Sequence, residues 1–233
     1  MRINRFFGKF DLSQDQLQIN DEAIYHQIKS VLRLKPGEQI ILFDGNKNET
    51  QAEILDIDVE NKIIEVILIK TTKNNRESKK EVVLYCSILK RENFEIVVEK
   101  ATEIGIKKIV PIISERTIKT GFKKERLEKI IKEAVEQSGR GEVPILEEAI
   151  DFKKAVELAK ENDVNLFFDF SGKKNKPGNM ISEKIGLWIG PEGGWTEKEQ
   201  EIAKQNKFNI LKLSELTFRA ETAAIIASYL FCL

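Results

Sequence analysis

The stretch GLWIGPEGGWTEKEQ, residues 186–200, runs an apolar strand into a turn with one proline and three glycines, and then into a helix start. Thr196 followed by Glu199 makes a capping box, which places the first helical turn directly after Gly194. Gly190, Gly193 and Gly194 therefore sit between strand and helix, where the missing Cβ atoms permit positive φ and let a ligand approach backbone groups closely. In open α/β sheets ligands sit at the carboxyl ends of strands, so the turn is a candidate binding site; a tight βα turn that binds nothing has the same spacing. The run contains neither the Gly-Lys-Ser/Thr of a phosphate loop nor the G-x-G-x-x-G of a dinucleotide fingerprint. Glu192 would repel a phosphate but tolerate a cationic or neutral ligand.

Working outward from that turn, short strand patterns alternate with amphipathic helices. VVLYCSIL (Val82–Leu89) and IVPII (Ile109–Ile113) read as strands, and ENFEIVVEKATEIG as a helix closed by Gly105. KERLEKIIKEAVEQSG places Leu127, Ile130, Ile131, Ala134 and Val135 on one helical face. A helix from about Asp151, the strand VNLFFDF (Val164–Phe170), the strand IGLWIG, a helix from Glu197, the strand NILKL (Asn209–Leu213) and a last helix through AETAAIIASYLF complete the series. Buried strands alternating with helices predict a mostly parallel sheet covered on both faces.

The first 70 residues have a different texture. QIILF (Gln39–Phe43) and IIEVILI (Ile63–Ile69) are apolar runs set among the turn formers Pro36-Gly37, Asp44-Gly45 and Asn61-Lys62, the pattern of a small β-barrel. One helix interrupts it, with Ile24, Ile28 and Val31 as its apolar stripe and Asn20 or Asp21 as its cap. Residues 71–81, TTKNNRESKKE, offer no apolar side chain to bury and are expected to form a linker between a domain at 1–70 and one at 82–233.

Composition limits the function classes. The chain has 233 residues, with 38 basic and 38 acidic side chains, so any polyanion partner must be met by local clusters rather than by net charge. Cys86 and Cys232 show neither disulfide nor metal-site spacing and are expected to be buried thiols. No signal peptide or membrane-spanning run is visible, which predicts a cytoplasmic protein. His26, with no Asp or Cys pattern near it, reads as a helix-surface or partly buried residue.

Two further stretches concentrate polar chemistry. TFRAETAA (Thr217–Ala224) sets Arg219, Glu221 and Thr222 between an apolar strand and the small-residue start of an apolar helix, at the sheet edge expected to carry the glycine turn; an Arg–Glu ion pair in solvent is the plainer reading. EQSGRGEVP (Glu136–Pro144) places Gln137, Ser138 and Arg140 after the long helix, where a glycine C-cap with a polar fringe would account for them.

Together these stretches resemble the RsmE-type 16S ribosomal RNA uridine-N3 methyltransferases of the SPOUT superfamily. The likeness spans nearly the whole chain: RFF (Arg5–Phe7), VLRLKPGEQIILFDG (Val31–Gly45), EKATEIGIKKIVPIISER (Glu99–Arg116), EQSGR (Glu136–Arg140), IGPEGGWTEKE (Ile189–Glu199) and FRAETAA (Phe218–Ala224). The resemblance implies an N-terminal PUA-like RNA-binding β-barrel followed by a SPOUT-type α/β methyltransferase domain with a C-terminal trefoil knot. It implies S-adenosylmethionine held by Ile189, Gly190, Pro191, Glu192, Gly193, Gly194, Leu213, Ser214 and Phe218, and no metal. Arg219 or Arg140 would stabilise a developing uridine anion, with Glu221 as proton acceptor or organiser. Arg5, Arg33 and Arg91 are the RNA-contact candidates, with Lys173, Lys174 and Lys176 as weaker ones. The partners implied are 16S rRNA in the small ribosomal subunit and a second copy of the chain, met through the final helix. Three departures stand out: Ser214 replaces a usual glycine, Leu216 a usual basic residue, and Thr217-Phe218 an aliphatic pair. They leave two alternatives: an RNA-binding module with a degenerate catalytic domain, or a related enzyme acting on another RNA atom.

Overall fold

The computed structural model describes residues 3–118, 122–174 and 182–232, the side chain of residue 174 excepted. Contacts divide the chain into two units, Met1–Glu77 with Val135–Val143, and Ser78–Ala134 with Pro144–Leu233.

The first unit is built on a five-stranded sheet of β1 (Asn4–Phe7), β2 (Gln16–Ile19), β3 (Gln39–Phe43), β4 (Asn48–Asp58) and β5 (Ile63–Lys73), in the order β1-β3-β4-β5-β2. β1 runs parallel to β3 and every other pair is antiparallel. Alternate residues point to one face, so Ile40 and Leu42, Ala52 and Ile54, and Ile64 and Val66 bury together with Phe6. β4 has no apolar run to announce it. Polar residues alternate with buried ones through Glu53, Leu55 is exposed, and register shifts at Gln51/Ala52 and Ile54/Asp56 break the alternation.

The helix over this core, α1 (Glu22–His26), is capped by Asp21, whose carboxylate accepts from Ala23 N and Ile24 N at 2.9 and 3.0 Å. It continues as a π-helix over Gln27–Val31. Ile24 and Ile28 are fully buried, but Val31 is 62% exposed. The expected three-residue stripe fails at its last member because the wider i→i+5 turn, with Leu32 N donating to Gln27 O, rotates Val31 off the apolar face. His26 is on the helix surface.

The expected linker is also shorter than 71–81. Thr71, Thr72 and Lys73 extend β5 and pair with β4, because threonines suit a strand whether or not apolar neighbours surround them. Asn74 and Glu77 are engaged in the first unit: Asn74 Nδ2 donates to Gly139 O at 3.0 Å, and Glu77 Oε1 accepts from Gly141 N and Glu142 N at 3.1 Å each.

The second unit contains β6 (Glu81–Ser87), α2 (Arg91–Ile104), β7 (Lys108–Ile113), α3 (Lys124–Ser138, whose last turn belongs to the first unit), β8 (Ile145–Leu146), β9 (Ile150–Asp151) and α4 (Phe152–Leu158). It continues with β10 (Val164–Lys174), β11 (Lys184–Ile189), α5 (Glu197–Gln205), β12 (Asn209–Lys212) and α6 (Ala220–Cys232). The sheet order is β12-β10-β11-β6-β7-β8, with β9 also beside β7, and all pairings are parallel. β6 to β9 spread to one side of β6. The chain then crosses to β10, and β11 is laid between β10 and β6, so the strand order reverses there. Such a reversal opens a crevice at the carboxyl ends of the strands.

The sheet's core is aromatic. Tyr85 stacks on Trp188 at 4.4 Å, Phe167 stacks on Trp195 at 4.6 Å, and Phe152 lies edge-on to Trp188 at 5.7 Å. Caps fix the helix ends: Gly105 takes φ 114° after α2, and the Thr196–Glu199 capping box opens α5 as its sequence predicts. α6 packs against α2, β6 and β11. Cys86 and Cys232 are both buried, and burial pushes the Cys86 thiol above its usual range, with the Glu192 charge adding to the effect.

Candidate cofactor cleft

Because the strands are parallel, β10, β11 and β12 end on the same edge, and a cleft of ≈ 220 Å³ opens there. β10 contributes Phe168, Asp169 and Phe170; the end of β11 and its turn contribute Ile189, Gly190, Glu192, Gly194 and Trp195. Lys212, Leu213, Ser214, Leu216, Thr217 and Phe218 come from the end of β12 and the loop after it, and Ala220 and Ala223 from α6. Of the predicted cofactor residues, seven line this cleft: Ile189, Gly190, Glu192, Gly194, Leu213, Ser214 and Phe218. Pro191 and Gly193 shape the turn without lining it; Gly194 N donates to Pro191 O at 2.8 Å, and Gly194 takes φ 68°.

The turn is pinned from three directions. A Cβ on Gly190 would come within 3.1 Å of the Trp195 indole, so glycine is what lets that ring pack beneath the turn. Glu192 Oε1 accepts from Lys90 N at 3.0 Å, which ties the turn to the start of α2. Arg116, in the loop after β7, donates from Nη1 to Gly193 O at 2.7 Å. Its neighbour Glu115 donates its backbone N–H to Glu199 Oε1 at 3.0 Å. Sequence reasoning did not assign Arg116 a role; a lone Arg beyond a strand carries no signal until the topology sets β7 beside the turn.

The walls are mainly apolar, with two carboxylates, Asp169 and Glu192, at the lining. Lys212 is partly neutralised by Glu215, Nζ to Oε2 at 2.7 Å. Arg219 is exposed between the lining residues Phe218 and Ala220, and its carbonyl accepts from Ala223 N at 2.9 Å, which starts α6. Among the described residues it has no ion-pair partner, so the Arg219–Glu221 pair does not form. Glu221, in the first turn of α6, has its Oε2 sealed from solvent without a hydrogen-bond partner.

Other predicted residues lie elsewhere. Arg140 is not in the cleft lining: it is 5% exposed in the first unit, and its Nη2 lies 2.9 Å from Glu77 Oε2. Arg5 is likewise buried there, donating to Glu49 Oε2 at 2.8 Å and to Arg140 O at 3.0 Å, with its guanidinium 4.7 Å from the Phe43 ring centroid. Its Nε is sealed from solvent without a hydrogen-bond partner, so the guanidinium is not presented at the surface. Arg33 and Arg91 are exposed, Arg91 pairing with Glu95 at 3.1 Å. Lys173 is exposed; Lys176 lies outside the described residues, as does the side chain of Lys174.

Fold and site together are those of an RNA methyltransferase. A family model of the RNA methyltransferase domain matches residues 76–231, and one of the RNA methyltransferase PUA domain matches residues 19–67. Ribosomal RNA small subunit methyltransferase E of Rickettsia conorii is 31% identical, over 97% of this chain and 94% of the relative, and the protein of the same name from Buchnera aphidicola subsp. Schizaphis graminum is 31% identical over the same shares. Among solved structures, ribosomal RNA small subunit methyltransferase E of Neisseria gonorrhoeae bound to S-adenosyl methionine superimposes with a TM-score of 0.88 at 30% identity, covering 97% of this chain and 95% of that one. A Legionella pneumophila methyltransferase in complex with SAM does so at 0.88 and 29% identity, covering 98% and 96%. The chain belongs to the ribosomal RNA small subunit methyltransferase E family. No described helix is long and apolar enough to cross a membrane.

Proposed function

We propose that the protein transfers the methyl group of S-adenosylmethionine to N3 of a uridine in 16S rRNA of the small ribosomal subunit. The observation that carries this reading is the cleft at the ends of β10, β11 and β12, whose lining includes seven of the nine residues that the sequence likeness marks for the cofactor. The lining suits that ligand. Ile189, Trp195, Leu213 and Phe218 offer apolar walls, the backbone at Gly190, Gly194 and Ser214 offers polar groups, and Asp169 and Glu192 favour a cation. When bound, S-adenosylmethionine supplies an electrophilic methyl group on a cationic sulfonium.

The chain's own groups handle the uridine. N3–H is a weak acid and must lose its proton for the nitrogen to form its bond to carbon; Glu221, next to the lining residue Ala220, is the acceptor or organiser in this scheme. Loss of that proton spreads negative charge over O2 and O4, and the Arg219 guanidinium, unpaired among the described residues, stabilises it until N3 takes the methyl carbon and the carbon–sulfur bond breaks with its electron pair left on sulfur. Arg140 is committed to Glu77, so the cationic role falls to Arg219 and Arg140 serves structure. Arg33 and Arg91 take the RNA-contact role, and Arg5 supports the sheet beneath. The reading extends to a trefoil-knotted C-terminal domain, a cytoplasmic enzyme, and a homodimer through α6, whose Tyr229 is exposed.

The test is calorimetric titration with S-adenosylmethionine, together with methyl transfer to isolated small subunits and mapping of the modified nucleoside. Ala223→Phe fills the cleft from α6 without disturbing the backbone and is expected to abolish both binding and transfer. Folded wild type that binds no cofactor would favour the RNA-binding module, and a modification at another atom would favour the related-enzyme alternative.

A further inference from the structure

We propose that Phe170 is a stacking platform for a base of the RNA substrate, delivered to the mouth of the cleft by a bulge in β10. The inference rests on the methyltransferase reading above.

β10 pairs with β12 at Phe168↔Leu211 and again at Lys173↔Leu211, so residues 169–172 form an excursion with no counterpart on the neighbouring strand. The excursion is held at both ends. Asp169 Oδ1 accepts from the Ser171 backbone N–H at 2.8 Å and from its hydroxyl at 2.6 Å. Gly172 brings the chain back so close to β12 that a Cβ there would lie 2.4 Å from the Leu211 carbonyl carbon. Only a residue without a side chain closes the excursion at that point. Bulges of this kind re-aim a side chain beside a site.

The side chain re-aimed is Phe170. Phe167 and Phe168, just before it on the strand, are buried, whereas Phe170 is 52% exposed and lines the cleft. Lys212, on the adjacent strand, holds its ammonium 5.1 Å from the ring centroid and is itself fixed by Glu215. About half of the ring's surface is left open at the cleft, and a flat ring so placed matches the face of an unstacked nucleobase; proteins commonly hold single-stranded RNA by such stacking. The chemistry recognised is a π-face rather than a particular base edge, so Phe170 sets how the substrate is held, and selection among bases falls to other groups.

The test compares the full-length wild type with Phe170→Ala, Phe170→Leu and Phe170→Tyr, measuring S-adenosylmethionine affinity and the kinetics of methyl transfer to small ribosomal subunits. Stacking predicts that Ala and Leu raise KM for the subunit by about tenfold or more, while Tyr stays within about threefold and cofactor affinity within about twofold throughout. Leu performing as well as wild type would reduce Phe170 to an apolar cover, and a parallel loss of cofactor affinity would make it a wall of the cofactor site; either result overturns the inference. Wild type that transfers no methyl group overturns the functional reading and this inference with it. Active wild type with an equally active Phe170→Ala overturns the inference alone.

Discussion

Arg140 and Glu77 form a buried pair in the first unit, Nη2 to Oε2 at 2.9 Å, with both side chains at most 5% exposed. Glu77 also receives the backbone N–H groups of Gly141 and Glu142, so the EQSGR segment is stitched to the end of the PUA-bearing unit. Removing one partner of such a pair strands the other charge away from water, which costs about 3–5 kcal/mol. Arg140→Ala and Glu77→Gln are each expected to lower unfolding free energy on that scale in chemical denaturation, and the double variant should cost less than the sum. Full stability of Arg140→Ala, with catalysis lost, would return Arg140 to the reaction.

At the glycine turn, Gly190 and Gly193 should respond differently. A Cβ at Gly190 meets the Trp195 indole at 3.1 Å, and that indole donates to Phe168 O at 3.2 Å, so it cannot move without losing a bond. At Gly193 the nearest atom is Arg116 Cδ at 3.4 Å, an ordinary contact. Gly190→Ala is expected to cost about 1–3 kcal/mol as overpacking and to weaken cofactor binding, while Gly193→Ala stays within about 0.5 kcal/mol. Thermal melts and calorimetry on the pair check this; equal effects would mean that the turn is less firmly packed than these contacts require.

Arg116 is expected to act through that turn. Its bond to the Gly193 carbonyl, 2.7 Å, holds the backbone that faces the cleft. Arg116→Ala should raise KM for S-adenosylmethionine several-fold with little change in kcat, and Arg116→Lys, which keeps one donor, should recover part of the loss. A fall in kcat at unchanged KM would contradict a positioning role.

Much of this was legible in the sequence, and the exceptions have physical causes. The alternation of strands and helices from Val82 onward was readable because the strands are buried on both faces and the helices carry clear caps, Thr196 and Gly105 among them. β4 was not, since two register shifts disturb its period and leave Leu55 exposed. Seven of the residues that the family resemblance names for the cofactor meet at one cleft because the parallel strands they follow end on the same edge. Phe170 and Arg116 could not, because one depends on a bulge against β12 and the other on which strand end lies beside the turn. The burial of Arg5 and Arg140 was not legible either, because an arginine in a motif looks the same whether or not its guanidinium is paired inside the fold, here with Glu49 and Glu77.

Acid should loosen a contact between α2 and α3. The Arg126 guanidinium, with Arg91 beside it, holds the Glu95 carboxyl down at about 2, against 4.5 when unperturbed. A depressed folded-state pKa means that this contribution is complete above about 4.5 and is lost as pH falls from there toward about 2. Both arginines are about half exposed, 52% for Arg126 and 54% for Arg91, so the contribution is small. Glu95→Gln should therefore lower the melting temperature slightly at pH 7 and match wild type near pH 2. A difference that persists unchanged at pH 2 would point to packing rather than charge.

Leu216 offers the sharpest handle on RNA affinity. It is 73% exposed at the cleft lining and stands where the sequence resemblance places a basic residue. An exposed leucine there gains nothing from burial and contributes no charge to a polyanion. Restoring the cation should add one phosphate contact, and each such contact steepens the salt dependence of binding by a little less than one unit in the log–log slope. Leu216→Arg is accordingly expected to bind small-subunit RNA more tightly at low salt, with a slope steeper by about one and cofactor affinity unchanged. Titrations of RNA at several salt concentrations measure this directly. An unchanged slope would mean that the backbone of the substrate does not pass this edge of the cleft, and that the leucine is tolerated because no phosphate comes near it.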